Sequence, residues 1–123
     1  MSCAQDSAHW QITKEATVYT KALFARLEAK PGKENDVAKF LETGLGMANQ
    51  ETTTPIWFAL RLGQTTFGIF DAFTGEGGRQ AHLNGPIAKA LMATAGEWFA
   101  KRPAIAQIDV YGANAPAWRV SIG

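Results

Sequence analysis

The sequence predicts an α+β fold in which two strand–helix–strand units follow one another in one domain. Four short segments alternate apolar and polar residues with a period of two, which is typical of half-buried strands. The stretches between them repeat apolar residues every three or four positions, as amphipathic helices do. The length of 123 residues suffices for one hydrophobic core but not for two.

The first unit is a strand, a turn and a helix. Thr17 to Glu28 is rich in β-branched and aromatic residues in alternation, and we predict a strand there. Lys30-Pro31-Gly32 ends it, because proline has no amide hydrogen to donate and glycine tolerates a positive φ. We predict a helix over residues 33–50, where one face carries Val37, Phe40, Leu41, Leu45 and Ala48.

A hairpin follows the first helix. Pro55 ends that helix, because the residue before a proline is pushed out of the α region. Ile56–Leu62 and Thr65–Thr74 then predict two strands joined by a short glycine-containing loop, as in an antiparallel hairpin.

The second helix is predicted in two pieces, because Asn84-Gly85-Pro86 interrupts it. The first piece spans about Gly78 to Leu83, and the segment Gly75 to Gly78 before it is interpreted as a turn. The longer piece begins at Pro86, since proline is suited to the first turn of a helix. Ala104–Tyr111 alternates cleanly and is the fourth predicted strand.

The order strand, helix, strand, strand, helix, strand is that of a ferredoxin-like sandwich. Its usual form is a four-stranded antiparallel sheet with both helices on one face. The other face would expose aromatic side chains to water, which predicts a homodimer that covers this open sheet face. We expect a flexible N-terminal tail over residues 1–15, one domain over 16–112 and a C-terminal tail over 113–123.

Composition excludes several classes of partner. The 12 basic and 11 acidic residues are scattered and give a net charge of +1, so no basic face for nucleic acid is expected. No apolar run approaches the roughly 20 residues that span a bilayer, and residues 1–15 lack the apolar core of a secretory signal. Cys3 is the only cysteine, so neither an internal disulfide nor a cysteine-based zinc site is expected, which favours a cytoplasmic protein.

His82 is the first candidate for a functional residue. It is the only histidine inside the predicted domain, and it lies between a strand and a helix break, where a side chain can reach the mouth of a pocket. The alternative is a histidine that is packed in the core or faces solvent. The other histidine, His9, lies in the predicted tail.

The hairpin supplies the remaining candidates. A period of two places Trp57 and Arg61 on one face of the second strand, and Phe67 and Asp71 on one face of the third. These aromatic residues are either core or walls of a small-molecule pocket. For Asp71 we expect an ion pair with Arg61 across the hairpin, and the alternative is a catalytic base.

Several catalytic and metal-binding patterns are missing from the sequence. It contains no GxSxG, HExxH, CxxC, EF-hand loop or paired-histidine spacing, and the glycines near Gly75 match neither a P-loop nor a dinucleotide fingerprint. No metal site is expected.

The PGKE turn into the first helix, the FDAF end of the hairpin and the stretch EGGRQAHLNGPIAKAL resemble the antibiotic biosynthesis monooxygenase family of dimeric α/β barrels. The resemblance covers about residues 17–112. It implies an oxygenase without a cofactor, in which a small aromatic quinol, phenol or anthrone is deprotonated and itself reduces dioxygen. The ligand expected from it is therefore a small aromatic molecule.

The resemblance also implies residue roles. His82 would be the base or proton shuttle, Trp57 and Phe67 would be walls, and Arg79 or Asn84 would steady a developing oxyanion. Phe24 and Asp71 complete the expected substrate-binding set.

Two alternatives stay open from the sequence. One is a barrel that binds a small molecule or responds to stress without catalysis. The other is haem degradation, which in this superfamily uses an asparagine, a tryptophan and a histidine. The first strand has Tyr19, Ala22 and Phe24 where that asparagine would be needed.

Overall fold

The structure is a computed structural model, and it describes residues 18–114. Four strands and three helices follow one another in this part of the chain. Their bounds are β1 Lys21–Glu28, α1 Glu34–Ala48, β2 Ile56–Arg61, β3 Thr66–Phe73, α2 Glu76–Leu83, α3 Pro86–Trp98 and β4 Ala104–Asp109. The predicted N-terminal tail, the start of the first predicted strand at Thr17 and residues 115–123 of the predicted C-terminal tail lie outside the described residues.

The strands form one antiparallel sheet in the order β2-β3-β1-β4. The helices pack on one face of it, so the ferredoxin-like arrangement predicted from the sequence is confirmed. The pairing register aligns Trp57 with Asp71, and Asp71 with Leu23, directly across three neighbouring strands. Because paired residues point to the same side, all three lie on the helix-covered face.

The turn between β1 and α1 and the packing of α1 follow the predicted pattern. Gly32 has a φ of 85°, a conformation that glycine adopts without steric cost. Val37, Phe40, Leu41 and Ala48 are buried against the sheet, as their spacing predicts. Gly44 is buried among them, and a Cβ built on it would lie 3.2 Å from the Trp57 ring. A small residue at this position therefore lets the indole lie against the helix.

The second helical stretch differs from the prediction at its start. We expected a turn over Gly75 to Gly78, but α2 already begins at Glu76 and Gly75 is its N-cap. The break and the start of α3 at Pro86 are as predicted. Tertiary packing explains the glycine at position 78: a Cβ there would lie 2.9 Å from the Thr53 carbonyl oxygen, so only glycine allows this close approach.

The opposite face of the sheet, called the open face here, carries Phe24, Phe58, Phe70 and Ile108. No described helix covers it. Phe58 is 54% exposed and Ile108 is 38% exposed. The rings of Phe58 and Phe70 stack with their centroids 6.4 Å apart. An apolar sheet face of this kind is costly in water and is often an interaction surface.

Candidate functional site

The candidate site centres on His82, which α2 directs into the protein interior. Arg79 and His82 are three residues apart and are the two buried side chains of α2. The imidazole is 6% exposed and lies against the Phe73 ring, with centroids 5.6 Å apart. The close approach of α2 at Gly78 brings this histidine to both the sheet and the loop after α1.

Two carboxylates hold the two ring nitrogens of His82. Nε2 lies 3.0 Å from Oδ2 of Asp71 on β3, and Nδ1 lies 2.9 Å from Oε1 of Glu51 in the loop after α1. The Thr54 hydroxyl donates to the same Glu51 oxygen at 2.7 Å and lies 3.3 Å from Nδ1. Carboxylates are acceptors, so both nitrogens of the ring act as donors.

This geometry sets the protonation state of His82. Burial has the largest single effect and by itself lowers the pKa of the imidazole. The hydrogen bonds to Asp71 and Glu51, together with their negative charges, outweigh burial and raise the pKa above its ordinary value of 6.5. The geometry and the direction of the pKa shift both favour the doubly protonated imidazolium form of His82, which places one formal positive charge between two carboxyl groups.

Each carboxylate also has one oxygen with no partner among the described residues. Asp71 Oδ1 and Glu51 Oε2 are both buried and accept no hydrogen bond there. A buried acceptor without a donor is costly and is uncommon in folded proteins, so such atoms often mark functional sites. In residues 18–114, no group of three or more His, Cys, Asp or Glu side chains is arranged to hold a metal ion.

Asp71 and His82 lie at the base of a small cavity between the sheet and α3, which we call the inner cavity. Its volume is about 30 Å³, and its polar side chains are those of Asp71 and His82 alone. The apolar walls come from three strands, the end of α2 and α3: Leu23, Ala25, Ile69, Leu83, Ile87, Ala88, Leu91 and Ile105. A mainly apolar space with a few converging polar groups is typical of a small-molecule site.

The inner cavity lies between α3 and the sheet, close to the edge strand β4. The backbone of α3 lies closer to α1 and α2 than to the strands, although its Leu91 side chain packs in the core with residues of β1 and β3. The strand at that edge, β4, is exposed at every position except Ile105, including Gln107 on the helix-covered face. The inner cavity reaches this exposed edge of the sheet through Ile105.

A second and larger space, which we call the outer groove, lies between α1 and β2. It has a volume of about 460 Å³, and its walls include Leu41, Leu45, Trp57 and Phe67. His82 and Asp71 do not line it. The structure thus places Trp57 and His82 on the same face of the sheet but in two different spaces.

Trp57 nevertheless lies beside Asp71 in the sheet. The two residues are direct cross-strand partners, and Nε1 of Trp57 is a buried donor with no partner among residues 18–114. Directly opposed residues of an antiparallel pair have Cβ atoms roughly 5 Å apart. The indole therefore lines the outer groove from a strand position next to Asp71.

The prediction of an ion pair between Asp71 and Arg61 is wrong. Arg61 Nε donates to the Gly63 carbonyl at 3.0 Å and Nη2 donates to that of Gln64 at 2.8 Å. Its guanidinium also lies 5.0 Å from the centre of the Phe67 ring. The register pairs Arg61 with Phe67 and Trp57 with Asp71, so Asp71 lies four residues along β3 from the partner of Arg61. At that position its carboxylate contacts His82 instead.

Arg79 and Asn84 make contacts that stabilise the fold. The Arg79 guanidinium bonds to the Glu76 carboxylate and donates to the carbonyls of Ala22 and Ile108, at 3.3 and 3.1 Å. Asn84 is exposed at the end of α2 and donates to the Gln80 carbonyl. Neither lines the inner cavity or the outer groove.

Phe24 lies on the other side of the sheet from His82. Its register partner is Phe70 on the open face, and its ring packs against Gly68. The structure thus brings His82 and Asp71 together and places the other five expected site residues, Phe24, Trp57, Phe67, Arg79 and Asn84, outside the inner cavity.

Glu51 and Thr54 belong to the site but were not predicted from the sequence. They lie 31 and 28 residues before His82 in a loop whose only strong pattern is TTTP. The sequence signal that could have found them is the pair of glycines at 77 and 78, since a glycine inside a helix often marks a close approach to another segment.

Comparison with solved structures finds proteins of similar fold, one of which is also similar in sequence. The chain is 51% identical to a protein of unknown function from Nitrosomonas europaea, with a TM-score of 0.79, over 82% of this chain and 98% of that one. It is 18% identical to a provisionally named antibiotic biosynthesis monooxygenase from Caulobacter crescentus, with a TM-score of 0.63, over 76% of this chain and 92% of that one. A protein with the same provisional name from Nitrosomonas europaea has 13% identity and a TM-score of 0.66, over 74% of this chain and 98% of that one.

The fold is therefore that of the antibiotic biosynthesis monooxygenases, as the sequence resemblance implied. The chain itself belongs to the family of the Nitrosomonas europaea protein of unknown function. No protein-family model and no curated protein matches the sequence.

Within residues 18–114, no helix is both long enough and apolar enough to cross a membrane.

Proposed function

We propose that this protein is a cofactor-independent monooxygenase that oxidises a small aromatic quinol, phenol or anthrone with dioxygen. The observation that carries the proposal is the buried Asp71–His82–Glu51 group at the base of an apolar cavity. Buried titratable groups with strong partners in a cleft are candidates for acid–base chemistry. The shared fold with provisionally named monooxygenases supports the same class of reaction.

The proposed reaction begins with removal of a proton from the aromatic substrate. The resulting anion is electron-rich enough to reduce dioxygen, so no external reductant is required. For an anthrone, one oxygen atom becomes a new carbonyl group and the other leaves as water with the two hydrogens of the oxidised carbon. The protein would bind the substrate, accept its proton and exclude water, and the low dielectric of the cavity strengthens each charge interaction.

Access is the main physical requirement, since a volume of about 30 Å³ is smaller than a benzene ring needs. We infer that the substrate enters between α3 and β4, because β4 is an exposed edge strand and the backbone of α3 lies closer to the other helices than to the strands. Ala88 on α3 lines this route and Ala93 on the same helix is exposed. Ala88→Trp should abolish turnover, and Ala93→Trp should leave it unchanged.

The decisive experiment is oxygen consumption with a panel of quinols, phenols and anthrones. We expect at least one substrate to be oxidised by the wild type and turnover to fall with His82→Ala. The proposal fails if no member of the panel gives turnover that depends on His82.

The proposed assembly is a homodimer through the open face. Burying Phe58 and its neighbours against a second copy would remove apolar surface from water at about 25 cal/mol per Å². Phe58→Glu should halve the mass measured by light scattering, whereas Met92→Glu, on an exposed part of α3, should not. A wild-type monomer at micromolar concentration would refute this assembly.

A second candidate is a non-catalytic barrel that binds a small molecule. The outer groove favours it, because about 460 Å³ is large enough for a small aromatic ligand and its walls include Trp57 and Phe67. If aromatic ligands bind with quenching of tryptophan fluorescence, Trp57→Phe reduces that binding, and no turnover is found, this second function is favoured over the first.

A further inference from the structure

We propose that Oδ1 of Asp71 binds the hydroxyl group of the substrate and accepts its proton, and that His82 is a positioning residue. The catalytic part of this inference rests on the proposed monooxygenase function. The binding part, recognition of a neutral hydroxyl donor, does not depend on turnover.

His82 has no nitrogen left to accept a proton. Nε2 donates to Asp71 and Nδ1 donates to Glu51, so the ring holds two protons and faces a carboxylate at each end. The groups that face it are Asp71 from β3, Glu51 and Thr54 from the loop after α1, and the Phe73 ring. The nearest other cation on α2, Arg79, is bound to Glu76 and to two backbone carbonyls.

Asp71 has the opposite property, an acceptor that is still available. Oδ2 is held by His82, while Oδ1 is buried with no partner among the described residues. Asp71 and His82 are the two polar side chains that line the inner cavity, and the nitrogens of His82 are both bonded. Asp71 Oδ1 is therefore the one side-chain acceptor without a partner that the residues lining this cavity offer to a hydroxyl group.

The proposed transfer of a proton to Asp71 is balanced in atoms and in charge. When a hydroxyl group gives its proton to Asp71, the O–H bond of the ligand breaks and an O–H bond forms at Oδ1. The electron pair stays on the ligand oxygen. The group changes from Asp⁻, His⁺, Glu⁻ to neutral Asp, His⁺, Glu⁻, so its net charge goes from −1 to 0. The imidazolium remains in place, 3.0 Å from the other oxygen of Asp71, and holds the carboxyl group in one orientation.

The first test compares phenol with anisole, its methyl ether, by calorimetry and by NMR on uniformly labelled protein. Anisole has the same ring but no proton to donate, so the wild type should bind phenol at least about tenfold more tightly. Asp71→Asn replaces the acceptor by an amide of equal size whose NH₂ group can face the cavity. The variant should lose the preference for phenol. Equal affinity of the wild type for the two probes, or binding of neither, would overturn the inference.

The second test separates positioning from acceptance with two variants of His82. His82→Gln places an amide near the position of Nε2 and can still donate to Asp71, whereas His82→Asn places one near Nδ1 and can reach only Glu51. We expect His82→Gln to keep more of the preference for phenol over anisole than His82→Asn. The reverse order would overturn the positioning role.

The catalytic part is tested on any substrate that the oxygen panel identifies. Asp71→Asn should lower kcat by about 10²-fold or more, because it removes the proton acceptor. If the variant keeps wild-type turnover, the inference is wrong while the monooxygenase proposal stands. If no substrate is oxidised but phenol binding depends on Asp71, the monooxygenase proposal fails and hydroxyl recognition by Asp71 stands.

Discussion

The inner cavity and the outer groove lie on the same face of the sheet, and they differ in size and in chemistry. The outer groove has a volume of about 460 Å³, and its cation, Arg61, is bound to backbone carbonyls. The inner cavity has about 30 Å³ but contains the buried group of Asp71 and His82. Volume alone would therefore direct attention to the space that lacks buried titratable groups.

The difference follows from how each space is built. The outer groove forms between α1 and β2, where Gly44 lets the Trp57 ring lie against the helix. The inner cavity forms beside the close approach of α2 at Gly78, under α3, whose backbone lies further from the strands. A close approach at one helix and a gap at the next place charged side chains beside an apolar space.

The largest effect on stability is expected from His82→Ala. It leaves Asp71 and Glu51 buried without the cation between them, and the free energy of unfolding at neutral pH should fall by about 3–5 kcal/mol. The comparison variant in the outer groove is Leu45→Ala. Leu45 is 48% exposed, so its replacement should change the free energy of unfolding by about 0.5 kcal/mol. Urea unfolding measures both. Equal losses would contradict the asymmetry between the two spaces.

Gly78→Ala is expected to have the next largest effect. Its Cβ would lie 2.9 Å from the Thr53 carbonyl oxygen, so the loop that carries Glu51 and Thr54 must shift, at a cost of about 1–3 kcal/mol. Gly77→Ala is the matched control, because nothing lies within 4 Å of its Cβ and alanine favours a helix. Thermal unfolding compares the two. A Tm for Gly78→Ala at or above that of Gly77→Ala would show that the close approach does not matter.

The pH dependence of stability should report on His82. Its pKa is raised on folding, so the stabilisation by Asp71 and Glu51 is fully present below the ordinary value of 6.5. It is lost as the pH rises through the raised pKa of the folded protein. The free energy of unfolding should therefore fall with increasing pH above 6.5 in the wild type. His82→Gln, which does not titrate, should lack this component, and identical slopes for the two proteins would refute the assignment.

The smallest effect is expected in the outer groove, from Gly44→Ala. The new Cβ would lie 3.2 Å from the Trp57 ring, so the indole must move by a few tenths of an ångström. The better helix propensity of alanine offsets part of this cost, and we expect a net loss below about 1 kcal/mol. Gly46→Ala, with nothing within 4 Å, is the control and should be neutral or stabilising. Tryptophan fluorescence should shift only in the first variant.

Much of the fold was predictable because it depends on local patterns. Periods of two and of three to four residues, Pro31-Gly32 and Pro86 predicted the elements and their order, and the order predicted the antiparallel sheet. The bounds were less accurate at the ends. The strand predicted to reach Tyr111 ends at Asp109, and α2 begins two residues before Gly78. The domain bounds at 16 and 112 and the two tails stay predictions.

The sequence by itself determined the sandwich, its apolar open face and His82 as the candidate of the second helix, because side-chain periodicity is a local property of the chain. The tertiary structure decided which side chains contact His82. Glu51 and Thr54 contact His82 although they lie 31 and 28 residues before it in the sequence. The strand register places Asp71 beside the imidazole and not beside Arg61. Such contacts depend on the angle and distance at which α2 meets the sheet, which no local pattern encodes.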